Sequence, residues 1–121
     1  MISAYCETFG FTGYILRFAN VVGGRATHGV IYDLINKLFR NQKELEVLGD
    51  GRQNKPYMYI DDALDGMEFI VNNAKERVNL FNVGVLDSIQ VTQIARIIIE
   101  KMSLKNVKIL YTGTPYGWKG D

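Results

Sequence analysis

LEVLGDGRQNKPYMYIDD, residues 45–62, decides how the rest of the chain is read. It predicts a strand over 45–48, a tight turn, a second strand over 57–60, and an Asp61-Asp62 pair that opens a helix. Gly49 and Gly51 flank Asp50, so the turn can take positive φ at both glycines and present backbone N–H groups. Arg52, Gln53 and Lys55 follow at once, crowding donors and positive charge onto one edge. A small anion such as a phosphate is bound well in such a setting. The same residues also fit a hairpin whose polar turn merely faces water, because Asp-Gly between apolar runs predicts a turn.

Upstream, Ile2, Tyr5, Cys6 and Phe9 form one helical stripe over 1–9, with no capping residue before it. Residues 14–18, YILRF, read as a largely buried strand of the kind found in the middle of a parallel sheet. Residues 20–28 read as a loop. Apolar pairs from Val30 to Phe39 recur at helical spacing and predict an amphipathic helix over 29–41. Downstream, Asp61 or Asp62 is expected to cap a helix over 62–74, with Ala63, Leu64, Met67, Ile70 and Val71 inward. A strand over 80–83, a helix over 90–102 with Val91, Ile94, Ala95, Ile98 and Met102 inward, and a strand over 107–111 complete the pattern. A tail rich in glycine, proline and aromatic residues follows, 112–121. Helices alternate with strands, which predicts an α/β fold with mostly parallel strands joined by crossover helices.

With 121 residues the chain suits one domain, and 47% apolar with 22% charged residues is ordinary for a globular protein. Fourteen Lys plus Arg against 13 Asp plus Glu give a net charge of +1, which makes no case for nucleic acid. The single cysteine, Cys6, excludes an internal disulfide and fits a reducing compartment. Apolar runs such as Ile97-Ile98-Ile99 are too short to span a bilayer, and no export signal is visible. No membrane partner and a cytoplasmic location are therefore expected.

Self-contained catalytic chemistry is hard to find. His28 is the only histidine, and no serine or cysteine sits in a sharp strand-to-helix turn beside it. A lone loop histidine reads as a surface or hydrogen-bonding residue. Asp61, Asp62 and Asp65 cluster, but the first two suit a helix start and the third an exposed face one turn later, so no metal site is expected. Neither G-x-G-x-x-G after a strand nor G-x-x-x-x-G-K-S/T is present, and Gly10-Phe11-Thr12-Gly13 lies between a helix and a strand, the reverse of the order a dinucleotide fingerprint needs.

An ordered set of short motifs nevertheless resembles one family. Leu16-Arg17-Phe18-Ala19-Asn20-Val21-Val22-Gly23 is similar to the R-x-x-N-V-x-G segment of the NAD-dependent epimerase/dehydratase family, the extended short-chain dehydrogenases that act on nucleotide sugars. Gly49-Asp50-Gly51-Arg52-Gln53-Asn54-Lys55 resembles its G-D-G-x-Q-x-R, and Tyr59-Ile60-Asp61-Asp62 its Y-V-D-D. Asn82-Val83-Gly84 matches its N-V/I/L-G strand end, and Gly117-Trp118-Lys119-Gly120-Asp121 its closing G-D. The matches span residues 16–121 in the family's order.

The resemblance implies the C-terminal part of a Rossmann-type fold whose dinucleotide-binding half, with its glycine fingerprint, catalytic Ser/Thr and Tyr-x-x-x-Lys pair, would lie before Met1. Residues 1–24 would be the last helix end and strand of that half, and the rest of 1–121 the nucleotide-sugar portion. It implies NAD as cofactor of the full-length enzyme, with none bound by this chain alone. The reaction implied is 4-epimerisation of a UDP-glucose or UDP-galactose type sugar nucleotide. There a lysine-activated tyrosinate takes a hydroxyl proton while NAD takes hydride from C4, and hydride returns to the other face of the rotated ketosugar. A 4,6-dehydratase or decarboxylase of the family is the alternative, and a binding module without activity is another.

Site roles carry over residue by residue. Asn20 and Lys55 would jointly grip the diphosphate; lysine replaces the usual arginine, keeping charge without the bidentate fork. Asp121 would accept ribose hydroxyls. Trp118 stands where an arginine is common and would cover base or sugar, with Lys119 a partial substitute for the lost charge. Val30 and Ile31 would line the base pocket, plain core packing being the alternative. The full enzyme would be a homodimer through helices that include the one ending at Phe9, so this chain is not expected to dimerise in that way.

Overall fold

Runs with helical spacing and short β-rich runs alternate along the chain, and the computed structural model, which describes residues 1–113, resolves them into four helices and eight strands. In order these are α1 (Ile2–Phe9), β1 (Gly13–Phe18), β2 (Asn20–Val22), α2 (Val30–Arg40), β3 (Glu44–Val47), β4 (Asn54–Lys55), β5 (Tyr57–Tyr59), α3 (Ile60–Asn73), β6 (Val78–Val83), β7 (Ile89–Gln90), α4 (Val91–Lys101) and β8 (Lys108–Tyr111). Three ladders are parallel, β1–β6, β2–β5 and β3–β8, and β4–β7 is antiparallel. The chain forms two compact units, Met1–Gly23 with Pro56–Asp87 and Gly24–Lys55 with Ser88–Asp121.

In the first unit β1 and β6 run side by side from Gly13↔Val78 to Phe18↔Val83, and β2 lies along β5. Helix α3 packs on β1, β2 and β5. Met58, Ala63 and Val83 form its buried cluster, with Leu16 and Ile70 against it. Asn79 is buried among these strands because its Nδ2 donates to the carbonyls of Glu76 at 2.6 Å and Gly13 at 3.3 Å. A β-carbon on Gly23 would sit 2.8 Å from Ile60 Cγ2, so only glycine lets the end of β2 pass the start of α3.

In the second unit α2 packs on α4 and β3, and α4 on β3 and β7. Strand β3 alternates, Leu45 and Val47 inward and Glu44 and Glu46 outward. Leu34, Leu38, Leu45 and Val47 are fully buried, joined by Ile94, Ala95 and Ile98 of α4. Gln90 and Gln93 make a capping box at the start of α4, which fixes where that helix begins.

Several expectations are corrected. Residues 45–60 are not a hairpin: β3 pairs with β8 and β5 with β2, while β4, between them, pairs with β7. The reason is burial, since β3 satisfies both its inward residues and its edge in the second unit. The loop expected over 20–28 begins with a strand, β2. Strand β1 has one ladder partner, β6, among the described residues. Neither Asp61 nor Asp62 caps α3; Tyr59 is the cap residue, and the aspartates lie in the first turn, where negative charge suits the helix dipole. Of the α3 residues expected inward, Leu64, Met67 and Val71 are exposed. On α1 only Cys6 is buried.

Candidate functional site

The turn before β4 has positive φ at both glycines, 80° at Gly49 and 74° at Gly51, as its sequence allows. Two of its N–H groups are taken up within the protein. Gly49 N–H donates to Thr112 Oγ1 at 2.7 Å, and Arg52 N–H to Asp50 Oδ1 at 2.9 Å. Gly51 is buried, and a β-carbon there would run into Thr92 Oγ1 and the Tyr111 ring. Its carbonyl accepts both the N–H of Thr92 at 3.0 Å and the hydroxyl of Thr92 at 2.9 Å; that hydroxyl lies 3.1 Å from the Tyr111 hydroxyl. The turn is a clamp that fixes where β4 leaves β3.

The clamp also closes the start of α4. Val91 N–H donates to the Gln53 carbonyl at 3.0 Å, Thr92 N–H to Gly51, and the capping box uses the N–H groups of Gln90 and Gln93. All four amides therefore have acceptors within the protein, and none is left to bind an anion. Positive charge near β4 is carried by side chains instead, the exposed Arg52 and the half-buried Lys55. Strand β4 itself is held by its ladder to β7 and by Asn54 Nδ2, which donates to Ser88 Oγ at 2.6 Å.

Asn20 opens β2 in the first unit, and its Nδ2 donates to the Pro56 carbonyl at 3.0 Å. Pro56 directly follows Lys55 in the chain, and Lys55 belongs to the second unit. A primary amide offers a second N–H and a carbonyl, so the bond to Pro56 does not exhaust Asn20. Val30 and Ile31, in the first turn of α2, are half-buried. Trp118 and Asp121 lie outside the described residues. His28 is exposed, its Nδ1 3.5 Å from Thr27 Oγ1. Sequence reasoning missed Thr92, Tyr111 and Thr112 as turn-holding residues. Only the double glycine hinted at them, and it does not name partners so far away in the chain.

The Gly10-Phe11-Thr12-Gly13 segment is built as a helix end, not as a phosphate-binding turn. Gly10 ends α1 in the left-handed conformation with its N–H on Cys6 O at 3.1 Å, and Gly13 N–H donates to Arg77 O at 2.9 Å. Both glycine amides are spent within the protein, at the end of a helix and not at its start. No step through NAD is assigned to these residues. Among them, no group of three or more His, Cys, Asp or Glu could hold a metal ion, and no helix is long and apolar enough to cross a membrane.

This arrangement has known counterparts. The NAD dependent epimerase/dehydratase family matches residues 1–84. A UDP-glucose epimerase of Bacillus subtilis (strain 168), YtcB, itself uncharacterized, is 28% identical over 94 residues, covering 78% of this chain and 30% of that protein. The crystal structure of a UDP-galactose 4-epimerase has a TM-score of 0.78 and 35% identity, over 96% of this chain and 38% of its own. That of the UDP-glucose 4-epimerase of Thermotoga maritima with UDP-glucose also has a TM-score of 0.78. It is 23% identical over 99% of this chain and 38% of its own length, a likeness of fold alone. The chain thus spans between about a third and two fifths of these relatives, with the α/β architecture of the Rossmann-type enzymes. The chain belongs to the NAD dependent epimerase/dehydratase family.

Proposed function

We propose that this chain is the nucleotide-sugar-binding portion of an NAD-dependent nucleotide-sugar 4-epimerase of the UDP-glucose/UDP-galactose type. What supports the reading is β4: a clamped strand that presents the Lys55 cation, in a chain 35% identical to a UDP-galactose 4-epimerase. Lys55 neutralises the diphosphate, Asn20 adds a hydrogen bond from its amide, and Val30 and Ile31 flank the base. Asp121 holds the ribose and Trp118 covers base or sugar. Residues 1–24 belong with the dinucleotide-binding half, whose NAD and tyrosine carry the chemistry, so that the 121-residue chain alone binds without turnover. The resulting enzyme is a homodimer.

Titration of the 121-residue chain with UDP, followed by calorimetry, tests the binding role. Saturable binding is expected, and Lys55→Met is expected to weaken it about tenfold, the usual cost of a lost charge-assisted hydrogen bond. Equal affinity of Lys55→Met removes Lys55 from the site. Supplied with a dinucleotide-binding half and NAD, the chain is expected to support interconversion of UDP-glucose and UDP-galactose; a 4-keto-6-deoxy product would assign 4,6-dehydration instead.

A further inference from the structure

One side chain before β4 is enclosed without a polar partner among the described residues. Both amide atoms of Gln53, Nε2 and Oε1, are shielded from solvent, and neither has a hydrogen-bond partner among the described residues. Its backbone is fixed: the carbonyl takes the Val91 N–H at 3.0 Å, extending the ladder in which Asn54 faces Gln90 and Lys55 faces Ile89. An amide buried with both ends unpaired shifts the folding equilibrium against the native state by roughly tenfold to a hundredfold. Methionine, of similar length and without polar ends, would avoid that cost. In an extended segment residues two apart leave the backbone on the same side, so Gln53 shares its side with Lys55.

We propose that Gln53 is a recognition residue of the site assigned to Lys55, its amide reserved for the nucleoside of the bound sugar nucleotide. This rests on the proposed nucleotide-sugar reading and deepens it. The amide presents an N–H donor and a carbonyl acceptor side by side. It therefore pairs with a nucleoside group that offers an acceptor beside a donor: the imide edge of uracil, with N3–H next to a carbonyl, or the ribose diol. A ligand that makes both bonds is favoured over one that leaves the amide buried and unpaired.

The experiment is a paired measurement on the 121-residue chain with Gln53→Met and Gln53→Leu. If the amide awaits a ligand, Gln53→Met melts about 4 °C higher than the wild type without ligand, yet binds UDP about tenfold more weakly. A 3-methyluridine diphosphate that loses the same tenfold on the wild type, and nothing on Gln53→Met, assigns the imide. The same result with 2′,3′-dideoxy-UDP assigns the diol. A lower melting temperature, or loss of folding in both variants, overturns the proposal, because the amide then has a structural partner within the chain. Unchanged UDP affinity in Gln53→Met also overturns it. If the wild type itself shows no saturable UDP binding, the nucleotide-sugar reading fails, and this proposal fails with it.

Discussion

The two units use the same parts, helices over parallel strand pairs, and close to different degrees. In the second, Leu38, Leu45 and Ala95 are 0% exposed, and α2, β3 and α4 share one sealed core. In the first, the buried cluster is Met58, Ala63 and Val83, and large apolar side chains stand outside it: Phe9 is 59% exposed, Phe69 68%, and Leu86 fully so. Apolar surface removed from water contributes about 25 cal/mol per Å². The second unit thus draws its stability from its own side chains, whereas the first holds much of its apolar area in reserve. Clustered exposed apolar groups mark a surface that docks or aggregates. The lesson is that an amphipathic pattern guarantees a helix without guaranteeing what covers it.

The largest expected effect probes the sealed core. Leu38→Ala is expected to cost about 4 kcal/mol and Met58→Ala about 2 kcal/mol, because a partly open cluster can relax into the space that a sealed one leaves empty. Urea unfolding followed by circular dichroism measures both, and equal losses would break the contrast between the units. Next comes the clamp in the second unit. Gly51→Ala combines a left-handed backbone with a clash against Thr92 and Tyr111 and is expected to cost about 3 kcal/mol. A loss below about 0.5 kcal/mol in the same urea assay would show that the turn yields, and the tightness ascribed to this unit with it. The smallest change in stability sharpens the comparison from the other side. The double variant Phe69→Lys with Leu86→Lys is expected to stay within about 0.5 kcal/mol of the wild type, while light scattering shows onset of association at several-fold higher concentration. No gain in solubility would mean that the exposed apolar groups of the first unit are not what drives association.

How far the sequence discloses this architecture depends on which force sets each feature. Helices α2 and α4 are legible because Leu34, Leu38, Ile94, Ala95 and Ile98 recur at helical spacing and are buried as that spacing predicts. Strand pairing is not legible. Asp50-Gly51 between apolar runs looks like a hairpin turn, and only the long-range partners, β8 for β3 and β2 for β5, exclude it. The two-residue strands β4 and β7 carry too little pattern to be seen at all. On α3 the period is right and the inward face is not: Leu64, Met67 and Val71 satisfy the spacing, but apolarity does not say which flank has a neighbour. At the site, the motif glycines and Lys55 were visible as types. That the Gly49 N–H and the Gly51 carbonyl are bonded within the unit follows from Thr112 and Thr92, which no local rule connects to residues 49–51.

The closed amino end of α4 has a chemical corollary. Many proteins hold phosphoryl oxygens with main-chain dipoles, which never titrate and cannot be removed by substituting a side chain. Here the dipoles at that helix end are quenched by carbonyls and glutamine oxygens of the same unit. An anion near β4 therefore gains nothing from this helix end, and the nearby cationic side chains are Arg52 and Lys55. Attraction to such side chains fades with ionic strength and can be retuned by single codon changes, which makes this corner easy for evolution to redirect toward a differently charged ligand.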